Sequence, residues 1–275
     1  MVAGREVIAR GMRSEIIAWE PGKVLKLYLP GWSAAAVAGE VAATRYVGQL
    51  GIPSPTVYGA VEIDGRHGII LERIGGPSMN EAFNTDQSRY AQLARMLAEV
   101  QAAVHAHDVP DGPPQRRQLR NKINAPRSPL PADLKEAATI VLEGLPDGTA
   151  ACHGDLHPMN VMLSPGRGPV IIDWDCPTVG NPLADVARTL LILLAGRWHV
   201  PSPQSESMRL MSNRIALIYL RRYFQLRHCA KADRRDLRTW LWVNAAARLA
   251  EGVQPEEGWL VGLVKDGIAR RPGAR

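Results

Sequence analysis

The 275-residue sequence predicts an α+β fold in two parts, a small antiparallel β-sheet lobe with one helix followed by a larger helical lobe. Two observations predict it. Up to residue 75, short β-prone runs alternate with turn signals; after Gly75-Gly76-Pro77, apolar residues recur at helical spacing over long stretches. The glycine pair sets the expected division, 1–75 against 76–275.

In chain order, EVIAR, EIIAW and KVLKLYL read as strands, the last two separated by Pro21-Gly22, and TVYGAVEI and GIILERI form a further hairpin around Asp64-Gly65. One helix interrupts them. Ser33 supplies an N-cap oxygen, and Val37, Val41 and Thr44 recur at helical spacing before Leu50. Beyond the glycines, Tyr90, Leu93, Leu97, Val100 and Val104 share one helical face. Residues 106–131, rich in Pro, Arg and Asp, read as a surface connection, and a short helix follows from Asp133 to Leu145. Leu183 to Leu194, Ser207 to His228 and Asp236 to Glu251 are helical by periodicity, with Trp259 to Val264 closing the core. Trp198, Trp240, Trp242 and Trp259 are expected in that core; the alternative is that one or two hold an apolar or cationic ligand.

Hydrophobic residues make up 46% of the chain, enough for a buried core. Cys152, Cys176 and Cys229 are odd in number and far apart, which argues against a disulfide framework or a paired-cysteine zinc site and for a reducing cytoplasm. The N-terminus lacks the apolar run of a signal peptide, and Leu190 to Ala195 falls far short of the roughly 20 apolar residues of a membrane span. A soluble, unprocessed chain with no membrane partner is expected. The formal charge is +6, and from Asn181 onward 16 Lys and Arg stand against 8 Asp and Glu. Such a surplus marks many nucleic-acid binders, yet no nucleic-acid motif accompanies it, and aromatic residues do not alternate with the basic ones as a stacking platform requires. No nucleic-acid partner is expected.

The chemistry concentrates between Cys152 and Asp185. Asn160 to Leu163 and Pro169 to Asp173 are apolar runs around a Pro and Gly turn, the pattern of a hairpin. Pairing Met162 with Ile171 sets Asn160 opposite Asp173, so that a carboxamide and a carboxylate meet at the open end of the ribbon. Two hard oxygen donors suit magnesium, which keeps much of its shell for phosphates and water. Asp155, five residues before Asn160, can reach the same space. Upstream, Lys26 shares a strand face with Val24 and Tyr28, and an ammonium among apolar neighbours needs a partner. Glu40, on the helix beside Val37 and Val41, is the natural one. Taken singly, either could be a solvated surface residue. Taken together with the metal donors, they supply what phosphoryl transfer from ATP to a hydroxyl needs: metal ligands, a carboxylate for the attacking hydroxyl and a cation for the phosphates.

The string His153-Gly154-Asp155-Leu156-His157-Pro158-Met159-Asn160, then Ile171-Ile172-Asp173-Trp174-Asp175, then Gly180-Asn181-Pro182-Leu183-Ala184-Asp185, resembles the catalytic region of the aminoglycoside phosphotransferase and choline kinase family. The interval from Asp155 to Asn160 also matches the protein-kinase catalytic loop. The resemblance implies a two-lobed protein-kinase-like fold, with 1–75 as the nucleotide-binding lobe, 76–275 as the helical lobe carrying catalytic loop and acceptor site, and the nucleotide in the cleft between them. It implies a small-molecule kinase using ATP and Mg2+, in which Asp155 is the base and Asn160 and Asp173 bind magnesium. Lys26, paired with Glu40, would hold the α and β phosphates. Glu72 and Ile74, in the connector Leu71 to Ile74, would lie at the adenine, and Asp185 would anchor the catalytic loop from a helix start. By the same resemblance His153 supports the loop. His157 is either a packing or a catalytic residue, and Asp175 either lines the substrate cleft or caps a turn. Two positions depart from the family pattern. Asn181 stands where a second acid is frequent, and Gly11-Met12-Arg13-Ser14, in the place of the phosphate loop, is not rich in glycine.

Other readings explain less. His153, Asp155 and His157 also fit a metallophosphatase, but that would need further Asp-x-His and Asn-His motifs elsewhere, and the sequence has none. A protein kinase needs an activation segment, and only about ten residues separate Asp173 from the helix of Asp185. A nucleotide-binding scaffold without turnover leaves the intact set of Asp155, Asn160 and Asp173 unexplained. The basic C-terminal stretch would repel a polycationic aminoglycoside, so the expected acceptor is a neutral, zwitterionic or anionic hydroxyl compound such as a sugar, an amino alcohol or a macrolide-like molecule.

Overall fold

The computed structural model describes residues 4–109, 111–195 and 202–270; Trp198 and the basic tail 271–275 lie outside it. Backbone contacts group the chain into two units, Met1–Thr85 with Pro158–Cys176 and Asp86–His157 with Pro177–Arg275, each taken over its described residues.

The first unit is built on a five-stranded antiparallel sheet. Strands β1 (Val7–Arg10), β2 (Ser14–Ala18), β3 (Lys23–Tyr28), β4 (Val57–Ile63) and β5 (Arg66–Glu72) lie in the order β1-β2-β3-β5-β4. Turn chemistry fixes two of the connections. Lys23 N–H donates to Glu20 O at 2.8 Å around Pro21-Gly22, with Gly22 at φ 74°, the left-handed second position that a type II turn requires. Asp64 and Gly65 both adopt positive φ, 52° and 72°, as the two-residue turn of a right-twisted hairpin does.

Helix α1 (Ala34–Gln49) begins where Ser33 accepts a bond from Ala36 N–H at 3.2 Å. Its buried residues Val37, Glu40, Val41, Thr44 and Val47 form one stripe. On one face of the sheet Val37 and Val41 pack with Tyr28 and Ile69; the opposite face buries Ile17, Leu25 and Leu27. The central strand β3 is therefore covered on both sides.

A second hairpin belongs to this unit although it is remote in sequence. Strands β7 (Val161–Ser164) and β8 (Gly168–Ile171) pair with Val161 opposite Ile171 and Met162 opposite Val170. This corrects the expected pairing of Met162 with Ile171 by one residue. The turn decides the register: strand pairing runs to Ser164 and Gly168, leaving three loop residues with Gly166 at φ 82°. The hairpin is tied to its unit by Leu163 N–H donating to Pro77 O at 2.8 Å, by Ile171 N–H donating to Pro53 O at 2.9 Å, and by Arg167 bonding Glu72 at 2.5 Å. Gly75 and Gly76 lie within the unit, followed by the short helix α2 (Met79–Thr85), which buries Met79 and Ala82.

The second unit contains α3 (Tyr90–Val104), α4 (Gln115–Ile123), α5 (Ala132–Gly144), α6 (Pro182–Ala195), α7 (Ser202–Leu226), α8 (Lys231–Arg248) and α9 (Glu257–Ala269). A two-stranded sheet, β6 (Ala150–Cys152) with β9 (Thr178–Gly180), joins them. Leu97, Val186, Leu191, Tyr219, Trp240 and Val243 are buried at its centre. Trp242 is buried as well and Trp259 is half-buried. Residues 106–131 are more than a surface connection. They include α4, whose face of Gln115, Leu119 and Ile123 is buried, but with two apolar residues in nine the helix carries almost no periodic signal. Helices α7 and α8 also begin before their expected starts, in polar turns that periodicity does not mark. Among the described residues no helix is long and apolar enough to cross a membrane.

Gly76 combines φ 89° with a backbone approach that would put an added Cβ 2.2 Å from Leu163 O, whereas a Cβ on Gly75 meets nothing within 4 Å. Gly76→Ala is expected to destabilise the protein by about 2–4 kcal/mol, from left-handed strain plus displacement of the hairpin. Gly75→Ala should stay within about 1 kcal/mol of wild type. Urea denaturation midpoints of the two variants check the difference.

Candidate active site

In the sheet unit, β3 and α1 bring Lys26 and Glu40 together. The strand residue is buried among Ile16 and Ile69 on its neighbours, and its ammonium donates to both Glu40 oxygens at 2.8 and 3.0 Å. Tyr28, two residues along the same strand face, donates its hydroxyl to Glu40 Oε2. Lys26 also pairs with Asp173, which follows β8. Burial alone would lower the pKa of the ammonium, but the carboxylates of Asp173 and Glu40 outweigh it and hold the pKa well above its ordinary value. The amine therefore stays charged.

Asp173 adopts a left-handed backbone, φ 66°. That conformation turns the chain just after Ile172, whose N–H donates to Asn160 O at 3.0 Å. Asn160 is 6% exposed. The carboxamide and the carboxylate thus flank the same end of the hairpin, although the register places Asn160 opposite Ile172 and not opposite Asp173. Asp175 forms an ion pair with Arg13, from the turn between β1 and β2. At the other end of the sheet, Glu72 is engaged throughout: its carboxylate accepts from Thr56 N–H at 3.1 Å and from Arg167, and its own N–H donates to Thr56 O at 2.9 Å. Arg73 N–H donates to Gly22 O at 2.9 Å, and Ile74 is half-buried beyond the strand.

In the helical unit, one face of α6 holds the loop of Asp155 residue by residue. Asp185 Oδ1 accepts from Gly154 N–H at 2.8 Å and its Oδ2 from His153 N–H at 3.2 Å. Arg188 bonds Asp155 Oδ1 through Nε at 3.1 Å and Nη2 at 2.8 Å, and the Thr189 hydroxyl donates to Leu156 O at 2.8 Å. Positions three and four apart on a helix share a face, so one helix can grip successive loop residues. Within the loop, His153 is fully buried and its Nδ1 accepts the Asp155 N–H at 3.2 Å. His157 Nε2 stands 3.7 Å from Asp155 Oδ2. Burial by itself would raise the Asp155 pKa, but His157 and Arg188 outweigh it and hold the carboxyl far below the usual carboxylate range.

Asp185 is itself buried, 1% exposed, and Oδ2 also accepts from Gln101 Nε2 and His105 Nε2, each at 3.0 Å. His105, Cys152 and Asp185 lie close enough together to suggest a metal site. The bonds already made by Asp185 instead mark it as a structural hub. Asn181 caps α6: its Oδ1 accepts Leu183 N–H at 2.9 Å and its Nδ2 donates to Pro146 O at 3.2 Å. A carboxamide does both, whereas an acid there could only accept.

A family model described as the phosphotransferase enzyme family matches residues 15–232. The chain belongs to that family. Solved structures agree in fold. A thermostable mutant of aminoglycoside phosphotransferase APH(4)-Ia, in ternary complex with ADP and hygromycin B, has a TM-score of 0.67 at 17% identity, over 98% of this chain and 95% of that one. Aminoglycoside phosphotransferase APH(3'')-Id from Streptomyces rimosus, in complex with ADP and streptomycin, has a TM-score of 0.60 at 17% identity, over 90% of this chain and 94% of that one. Identities this low show the fold, which is the expected α+β kinase-like one. A comparison with curated proteins found no match.

Sequence reading of this phosphotransferase missed Arg188 and Glu251, and it put Arg13 in the place of the phosphate loop without its partner Asp175. Arg188 did leave a signal, an arginine in the largely apolar helix PLADVARTLLILLA, where a charge needs a partner. Besides its neighbour Arg248, Glu251 reaches Arg188 and Lys122, and Arg13 reaches Asp175, across long sequence separations that leave none.

The Lys26 pair has unequal halves. Lys26→Met leaves Glu40 buried without its cation and should cost about 3–5 kcal/mol, whereas in Glu40→Gln the ammonium keeps Asp173 and the cost should be about 1–3 kcal/mol. Urea unfolding of both variants reads the order directly; equal losses would contradict it.

Proposed function

We propose that this protein transfers the γ-phosphoryl group of ATP to a hydroxyl of a small molecule, with Asp155 as base, Lys26 on the α and β phosphates, and Asn160 and Asp173 as magnesium ligands. The observation that carries the reading is the buried Lys26–Glu40 pair extended to Asp173, which aims one fixed cation at the donor end of the β7–β8 hairpin. An ammonium paired in this way can take up phosphate oxygens without a change of protonation. The donor set fits magnesium, since Asn160 and Asp173 both offer hard oxygens. Bound there, magnesium would neutralise charge on the nucleotide phosphates. The acceptor oxygen bonds to the γ-phosphorus as the bond from that phosphorus to the β–γ bridging oxygen breaks. ADP leaves with that electron pair, and the hydroxyl proton passes to Asp155. With the Glu72 carboxylate engaged by Thr56 and Arg167, adenine would meet backbone at Ile74 and not the Glu72 side chain.

The acceptor we favour is neutral, zwitterionic or anionic. The acids nearest Asp155 in its own unit already carry partners: Glu251 is bonded by Arg188, Arg248 and Lys122, and Asp185 by amides and His105. Glu251 stands among three cations and Asp185 is 1% exposed, so neither offers an open carboxylate to a polycation.

The test is ADP release from ATP and magnesium with glucose, choline, erythromycin and kanamycin as acceptors. Asp155→Asn is expected to reduce acceptor-dependent turnover about 10²–10⁴-fold, and EDTA to abolish it. ATP binding without turnover above the variant on any acceptor would leave a scaffold. Kanamycin and related aminoglycosides should bind weakly; submicromolar binding by equilibrium titration would overturn the acceptor reading.

A further inference from the structure

Asp155 does not stand alone in the helical unit. It is the half-exposed end of a chain of charges, its side chain 30% accessible, whose remaining members are largely buried. Arg188 places both of its bonds to Asp155 on the same oxygen, Oδ1, at 3.1 and 2.8 Å. Its Nη2 also reaches Glu251 Oε2 at 2.9 Å. Glu251 is fixed in turn by Arg248 Nη1 at 3.1 Å and Lys122 Nζ at 3.3 Å. Arg248 is anchored by Glu256, which is fully buried, at 2.5 and 2.8 Å. The members come from α4, α6, the end of α8 and the turns at 249–251 and 254–256, so the guanidinium of Arg188 has little freedom to follow Asp155 if the carboxylate rotates.

We infer that Arg188 is a positioning residue that sets which oxygen of Asp155 receives the acceptor proton. The inference rests on the assignment of Asp155 as base. Oδ1 accepts two N–H bonds, and a proton arriving there would face two donors, so the receiving atom is Oδ2, on the side of His157. A guanidinium held by a second acid and placing two N–H bonds on Oδ1 fixes where that oxygen sits, which a single ammonium at the same place would do less tightly. A structural role alone would be met by the arginine's bond to Glu251, deep in the unit. The further reach to a partly exposed carboxylate is what the geometry adds.

Steady-state kinetics separate positioning from support. The reaction is ADP release with whichever of glucose, choline, erythromycin and kanamycin the wild type phosphorylates fastest, run beside water as acceptor. The variants are Arg188→Met, Arg188→Lys, Asp155→Asn and the double variant Arg188→Met with Asp155→Asn. Arg188→Met is expected to lower kcat at least about 30-fold with the KM for ATP within about threefold, and Arg188→Lys to recover only part of the loss. The double variant should be no slower than Asp155→Asn, because Arg188 acts through Asp155. An undiminished effect of Arg188→Met in the Asp155→Asn background, or wild-type kcat in Arg188→Lys, overturns the inference while leaving the base in place. Wild-type turnover in Asp155→Asn removes both. Should Arg188→Met fail to fold, Glu251→Gln frees Arg188 while keeping its charge. It is expected to lower kcat about three- to tenfold at unchanged KM for ATP, and wild-type kcat there counts against the role.

Discussion

An ionised side chain cannot enter the interior of a protein without a partner, and among the described residues three acids are buried almost completely: Glu40, Asp185 and Glu256. Each fixes two or more elements in place. Glu40 requires α1 to lie where Lys26 and Tyr28 of β3 can reach it. Asp185 requires α3 and the loop at 153–154 to converge on the first turn of α6. Glu256 holds the end of α8 through Arg248. Apolar packing would tolerate small slides between these elements. Paired charges and directed hydrogen bonds do not, because a displaced donor leaves an unpaired charge in a low dielectric.

That rigidity lies where phosphoryl transfer would need it. Such a reaction gains most from placing charges and nucleophile before the event, since there is little covalent chemistry for the protein to perform. The loop of Asp155 is gripped at successive residues by Asp185, Arg188 and Thr189, all on one helix face, and His153 accepts its amide from within. In the sheet unit, Lys26 lies between Glu40 and Asp173, so its position is set from two sides. Candidate site residues held in this way are supported by elements of regular structure and not by loop conformation alone.

Much of this was legible as local pattern. The turn residues Pro21-Gly22 and Asp64-Gly65 marked the strands, and Ser33 with the Val37 stripe marked α1. An isolated lysine in a strand and a glutamate on the apolar side of a helix pointed to each other because neither could be buried alone. What failed, failed for identifiable reasons. Helix α4 draws its stability from neighbours, with Leu119 and Ile123 as its only apolar residues, so its own pattern is nearly silent. The β7–β8 register depended on whether the turn held three residues or four, a matter of glycine dihedrals that composition does not state. The pairing of β6 with β9 joins residues about thirty apart through three-residue strands, too short to show any period.

The sequence by itself determined the α+β class, the family, and the residue types at the candidate site, because each of these is carried by residues near one another in the chain: Asp155 to Asn160, Ile171 to Asp173, Asn181 to Asp185. Only the tertiary structure decided which atoms meet. It placed Asp173 on Lys26, Asp175 on Arg13, and Asp155 on an arginine fixed by Glu251 and, behind it, by Arg248 and Glu256. The physical reason is range. Propensity and periodicity are properties of a few consecutive residues, whereas an ion pair depends only on distance in space, and partners up to about 160 positions apart leave no mark on each other's neighbourhoods.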